Sequence, residues 1–186
     1  MGNETLEGQL REMYGRAAYT HKTHEKMADG YIARYKLIKR IELTLSALSS
    51  GSLILAVFGD GSAGTIVAAI LSTVLLGFLL YFKEASLGEQ AQKHTVTASQ
   101  LWGVRERLLG VLVDLHSTED ATAAARARDT INRQLEDIYR GAPRTDSKAY
   151  AAAQEALKNH EELYFSESEL DHLLPKQLRE SAKKTS

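Results

Sequence analysis

Two histidines three residues apart, His21 and His24, with Glu25 beside them, have the spacing of metal ligands on a helix. No third or fourth ligand lies close in sequence, so this pair is expected to hold no metal. His160 with Glu161 and Glu162, and Asp171 with His172, read as solvated helix surface. The densest glycine stretch, Gly59-Asp60-Gly61-Ser62-Ala63-Gly64, lacks both the preceding strand and the lysine of a phosphate-binding loop. The chain has no cysteine, which excludes a disulfide framework, a thiolate nucleophile and a Cys-based zinc site. No Ser-His-Asp order stands out, so no catalytic residue, metal or cofactor is expected.

Arginine offers a different chemistry. Arg126, Arg128, Arg133, Arg140 and Arg144 crowd one stretch together with Asp129, Glu136 and Asp137. Guanidinium forks suit anion recognition, which makes Arg126, Arg133 and Arg140 ligand-binding candidates; the plainer reading is an exposed helix of mixed charge. Arg105 stands alone in an apolar seam, where it either pairs with a carboxylate or faces an anionic ligand. A net charge of -1 gives no footprint for a nucleic-acid polymer.

The elements that position these residues are organised around a membrane segment. From Leu43 to Phe82 the only charged side chain is Asp60. Leu43–Gly59 and Gly61–Phe82 are uncharged runs of 17 and 22 residues. At 1.5 Å per residue the second covers about 33 Å, enough for a hydrocarbon core. The first reaches that length once interfacial Arg40, Ile41 and Glu42 join it. Asp60, between two glycines, can then sit at the aqueous boundary as the tip of a tight hairpin. The expected fold is an all-α membrane protein with a two-span hairpin. Its segments are an N-terminal cytoplasmic helix over 1–40, spans over 41–59 and 63–82 joined by a turn at 60–62, a long helix over 83–116, C-terminal helices over 117–175 and a disordered tail over 176–186.

Residues 1–40 are polar, so no cleavable leader is expected, and Leu6 stands where a myristoylation motif wants Ser or Thr. Arg34, Lys36, Lys39 and Arg40 precede the hairpin and Lys83 and Lys93 follow it, while its tip has no basic residue. Both termini are therefore expected in the cytoplasm.

The spans differ in what they offer neighbours. Gly64, Ala68 and Ser72 recur every four residues, and Ala69, Thr73 and Gly77 repeat the spacing, which permits close helix approach. The first span carries Ser46, Ser49, Ser50 and Ser52, a polar density costly against lipid. Those hydroxyls either pack within the hairpin or line an aqueous path when several copies assemble.

Outside the membrane, Leu6, Leu10, Met13, Ala17, Thr20, His24, Met27, Tyr31 and Ile38 form a helical stripe, with Gly30 a possible kink. Leu87, Ala91, His94, Ala98, Leu101, Arg105, Leu108, Leu112 and Leu115 form a heptad-like seam. The hairpin returns the chain, so the two are expected to pack antiparallel as a stalk. Ser117 or Thr118 is expected to cap the next helix, which stops at Gly141-Ala142-Pro143. Asp146 or Ser147 starts another, with Tyr150, Ala153, Leu157 and Leu163 or Tyr164 on one side, and Ser166-Glu167-Ser168-Glu169 reads as a capping box.

This order of elements, with Tyr139-Arg140-Gly141-Ala142-Pro143, Tyr150-Ala151-Ala152-Ala153 and the run from Tyr164 to Pro175, resembles the SLATT domain, the SMODS and SLOG-associating two-transmembrane effector domain. The resemblance implies a pore-forming or membrane-depolarising effector of a prokaryotic antiphage, abortive-infection system. It implies action at the bacterial inner membrane, controlled by an upstream sensor protein or a signal such as a cyclic oligonucleotide, while the stalk and the small-residue spans point to a homo-oligomer. The alternative is a non-conducting anchor or scaffold that tethers the helical module to a cytoplasmic partner.

Overall fold

The computed structural model describes residues 2–58, 62–83, 85–118, 120–160, 162–175 and 179. Among them are six helices and no strand: α1 (Gly2–Phe58), α2 (Ser62–Lys83), α3 (Leu87–Thr118), α4 (Ala121–Gly141), α5 (Ser147–Lys158) and α6 (Glu167–Leu173). The Gly59-Asp60-Gly61 tip and the expected tail lie outside the described residues. Arg179 is the exception, its guanidinium donating to the carbonyls of His172 and Leu174.

The N-terminal helix and the first span are one helix. α1 runs 57 residues without interruption through Gly8, Gly15, Gly30 and Gly51, about 85 Å at standard rise. Each interior glycine costs a helix up to about 1 kcal/mol. Along the N-terminal half that cost is offset by packing on α3. Leu10, Met13 and Ala17 of α1 and Leu101, Val104 and Leu108 of α3 are almost wholly buried in one core, completed by Ile131, Leu135 and Ile138 of α4. Burying an aliphatic side chain of this kind contributes about 1.5–3 kcal/mol.

Direction follows from the cross-helix pairs. Ser49 meets Ser72 while Gly64 lies against Ala56, and His24 meets His94 while His21 meets the Ala98 carbonyl, so α2 and α3 both run antiparallel to α1. Between them the chain leaves helix after Lys83 and re-enters it at Leu87, where a single helix over 83–116 was expected. Ser86 at φ 41° makes the break, in a left-handed conformation that a non-glycine residue adopts only at a cost.

The ends of α3, α4 and α5 correct three local expectations. The Ser117 and Thr118 hydroxyls donate back to the Asp114 carbonyl and prolong α3, so neither caps α4. Asp120 does so, its Oδ1 accepting from Ala123 N at 2.9 Å. α5 starts at its expected cap, Asp146, but buries Ala149, Ala153 and Ala156 in place of the Tyr150 and Leu157 side. It ends at Lys158, which leaves Leu163 and Tyr164 beyond it. The alanine face lets α5 lie close on α1, with Tyr150 stacked on Tyr19 at its edge. The capping box at Ser166 and Glu169 starts α6 as the sequence indicates.

Candidate functional site

The hairpin is built from the last third of α1 and the whole of α2. The α1 residues turned toward α2 include Leu45, Ser49, Ser52 and Ala56, at steps of four, three and four. Ala68 is the buried residue of α2, with Gly64, Leu71, Leu75 and Phe78 partly covered on the same side. Gly64 sets the separation: a Cβ there would lie 3.0 Å from the Ala56 backbone nitrogen and 3.2 Å from the Ser52 carbonyl oxygen. Ser72, near this face, meets Ser49 hydroxyl to hydroxyl at 2.7 Å. Gly77 does not share the role, because a Cβ on it would meet nothing within 4 Å.

The four serines do not form one face. Helical rotation of 100° per residue separates them, and the structure turns Ser49 and Ser52 toward α2 but leaves Ser46 and Ser50 outward. Around these two the outward surface is apolar, with Leu43, Leu55, Phe58 and Tyr81 more than two-thirds exposed. A surface of that composition requires a hydrocarbon solvent.

Beyond the hairpin, α1 and α3 bury polar side chains that local sequence did not pair. The Nδ1 atoms of His24 and His94 lie 2.8 Å apart, and Tyr31 stacks on the His94 ring. His21 Nδ1 lies 2.9 Å from the Ala98 carbonyl oxygen, which fixes it as a donor. Burial, reinforced by His94 and His21, pushes His24 down to about 4. Burial also lowers His94, against an opposing pull from Asp146 at the start of α5. Among the described residues no group of three or more histidines and carboxylates is arranged to hold a metal ion.

One turn away, Lys22 Nζ lies 2.6 Å from a Glu162 carboxylate oxygen and 2.7 Å from one of Glu25, and Lys26 reaches Glu162 at 3.1 Å. Burial draws the Lys22 ammonium down, but the Glu162 and Glu25 carboxylates outweigh it and hold it above its ordinary value. Hydrogen bonds from Lys22 and Lys26 hold the Glu162 carboxyl below its ordinary range. These residues border a cavity of about 700 Å3 that Trp102 and Arg105 complete. Arg105 donates from Nε and Nη2 to Glu106, while its Nη1 is buried with no partner among the described residues.

Arg126, Arg133 and Arg140 share one side of α4 but are not brought together into a site. They recur every seven residues on the exposed side of α4, and none borders the cavity at Arg105. Arg140 is paired with Glu136 and Asp137. Sequence reasoning missed His94 as the partner of His24, although both stood in the two seams, and it missed the Lys22–Glu162 pair.

Two lipid-length apolar helices packed as a hairpin and continued by a bundle of polar-surfaced helices define a two-span membrane protein. Residues 6–169 match the model of the SMODS and SLOG-associating 2TM effector domain family 4, and the chain belongs to that family. The family is one of membrane effectors associated with SMODS and SLOG signalling systems, and the match identifies no catalytic domain. No curated protein and no solved structure matches the chain.

Proposed function

We propose that this protein is a regulated pore-forming or membrane-depolarising effector of antiphage defence, acting as a homo-oligomer in the bacterial inner membrane with both termini in the cytoplasm. The observation that carries the reading is the outward placement of Ser46 and Ser50 on a lipid-facing helix. Two hydroxyls directed away from the hairpin are poorly matched to lipid and well matched to a water-filled path between copies. A two-helix hairpin cannot enclose such a path, so the reading requires assembly.

The continuity of α1 supports control from the cytoplasm. A helix unbroken from the stalk through the bilayer carries a tilt or rotation of its cytoplasmic half into the span. An upstream signal acts by binding one arrangement of the stalk better than the other, which shifts the population toward the conducting assembly.

The Ser49–Ser72 hydrogen bond favours the second reading, a non-conducting anchor, because it satisfies polar groups within one hairpin. Expressing the chain under tight induction, with and without its signalling neighbours, while following membrane potential and growth, separates the two. Depolarisation in either arm supports the effector. Unchanged potential in both, with the protein in the membrane, supports the anchor.

A further inference from the structure

Where the hairpin meets the stalk, α1, α2 and the start of α3 border a second cavity, of about 470 Å3. The break between α2 and α3 makes room for it. Ser86, at φ 41°, turns the chain there, and Gly88 borders the space without a side chain. The walls include Ile38 of α1 and Phe78, Leu79 and Phe82 of α2. Its rim carries Lys39 of α1 and Lys83, the last residue of α2. The uncharged run of α1 starts at Leu43, one turn after Lys39, and that of α2 ends at Phe82, beside Lys83. The cavity therefore lies where hydrocarbon gives way to headgroups.

The charges on the rim do not cancel. Lys39 pairs with Glu42 at 2.9 Å, and Glu89, also on the rim, pairs with Lys93 at 2.7 Å. Lys83 has no ion pair among the described residues, which leaves the rim one ammonium in excess. Arg34, Lys36 and Arg40, exposed on the same stretch of α1 and also without an ion pair among the described residues, add to the positive field at this level.

We propose that this cavity holds one anionic phospholipid, its phosphodiester on Lys83 and part of an acyl chain against Ile38, Phe78, Leu79 and Phe82. The ligand class follows from the lining. A free phosphate would leave the apolar walls in water. A zwitterionic lipid brings no net charge to Lys83, and its ammonium head would need a carboxylate where Glu89 is already paired. A lipid with one net negative charge, such as phosphatidylglycerol, matches the single excess ammonium and the apolar walls together. Because the cavity is bordered by all three helices, a bound lipid ties α1 to the turn through which the chain passes from α2 to α3. The site requires the two spans to lie in a bilayer and is independent of whether the assembly conducts.

The test is native mass spectrometry of the full chain in detergent, titrated with dioleoyl phosphatidylglycerol or dioleoyl phosphatidylcholine. One phosphatidylglycerol per chain is expected to bind first, about tenfold more tightly than phosphatidylcholine. Lys83→Gln is expected to weaken phosphatidylglycerol roughly fivefold, the scale of one lysine at an anionic surface, and to leave phosphatidylcholine unchanged. Gly88→Leu separates a built site from the general pull of a basic surface. A Cβ at Gly88 meets nothing within 4 Å, so the new side chain is accommodated, occupies the cavity and leaves every charge in place. It is expected to remove the first bound lipid at unchanged helix content by circular dichroism. Equal affinity for the two lipids overturns the proposal, as does undiminished phosphatidylglycerol binding in either variant. Displacement of the lipid by millimolar glycerol phosphate, the same headgroup chemistry without the chains, would make Lys83 a site for free anions and also overturn it.

Discussion

His24 of α1 and His94 of α3 face each other across the stalk with their Nδ1 atoms 2.8 Å apart, both rings almost wholly buried. One Nδ1 must donate and the other accept, so at least one ring is neutral in the folded protein. The pair ties the helix that enters the membrane to the helix that follows the hairpin.

A pH dependence follows. His24 titrates at about 4 when folded against an ordinary 6.5, lowered first by burial and then by His94 and His21. Between those values the unfolded chain binds more protons than the folded one, so stability falls as pH falls through that window and is fully present above it. Burial gives His94 the same sign, with Asp146 opposing. The thermal midpoint of the full chain in detergent is expected to drop from pH 7 to pH 4.5, and the drop is expected to shrink in a His24→Leu, His94→Leu double variant. An equally steep drop in that variant would assign the dependence to other groups.

Gly64 and Gly77 make opposite predictions although both lie in the small-residue pattern of α2. Valine at Gly64 meets the α1 backbone and is expected to cost about 1–3 kcal/mol by forcing the helices apart. A Cβ at Gly77 meets nothing within 4 Å, and valine there is expected to stay within about 0.5 kcal/mol. Thermal unfolding in one detergent compares them, and equal losses would mean that the glycine contact does not set the hairpin separation.

The Ser49–Ser72 hydrogen bond predicts coupling. A double-mutant cycle with Ser49→Ala and Ser72→Ala is expected to give an interaction energy of about 0.6 kcal/mol, the usual scale inside membranes. Strict additivity of the two losses would dissolve the pair.

Truncating the stalk core gives a larger effect. Leu10 is fully buried between α1 and α3, and Leu10→Ala is expected to destabilise by about 2–5 kcal/mol in denaturant or thermal melts. A loss near zero would mean that the α1–α3 core is not packed as described.

How much of this was legible in the sequence depended on range. The seam from Leu87 to Leu115 and the stripe from Leu6 to His24 are local periodicities, and a 3.6-residue repeat fixes which side is buried. The capping box at Ser166 is likewise local. Asp120 displaced Ser117 and Thr118 as the cap of α4 because all three residue types cap well, and the choice depends on where α3 ends. The α5 stripe slipped by one position because an alanine-rich face allows closer packing than Tyr150 and Leu157 would. Ser46, Ser49, Ser50 and Ser52 read as one polar face by count alone, but their angles on the helix divide them. Lys22 and Glu162 are separated by 140 residues in sequence and were beyond any local pattern.

Whether Ser46 and Ser50 line a conducting path, as proposed, is tested most directly by potassium efflux from liposomes holding the full chain, wild type against Ser46→Leu with Ser50→Leu. Efflux from wild type and its loss in the variant, at equal insertion and equal oligomeric state, is the result predicted. Undiminished efflux from the leucine variant would contradict it.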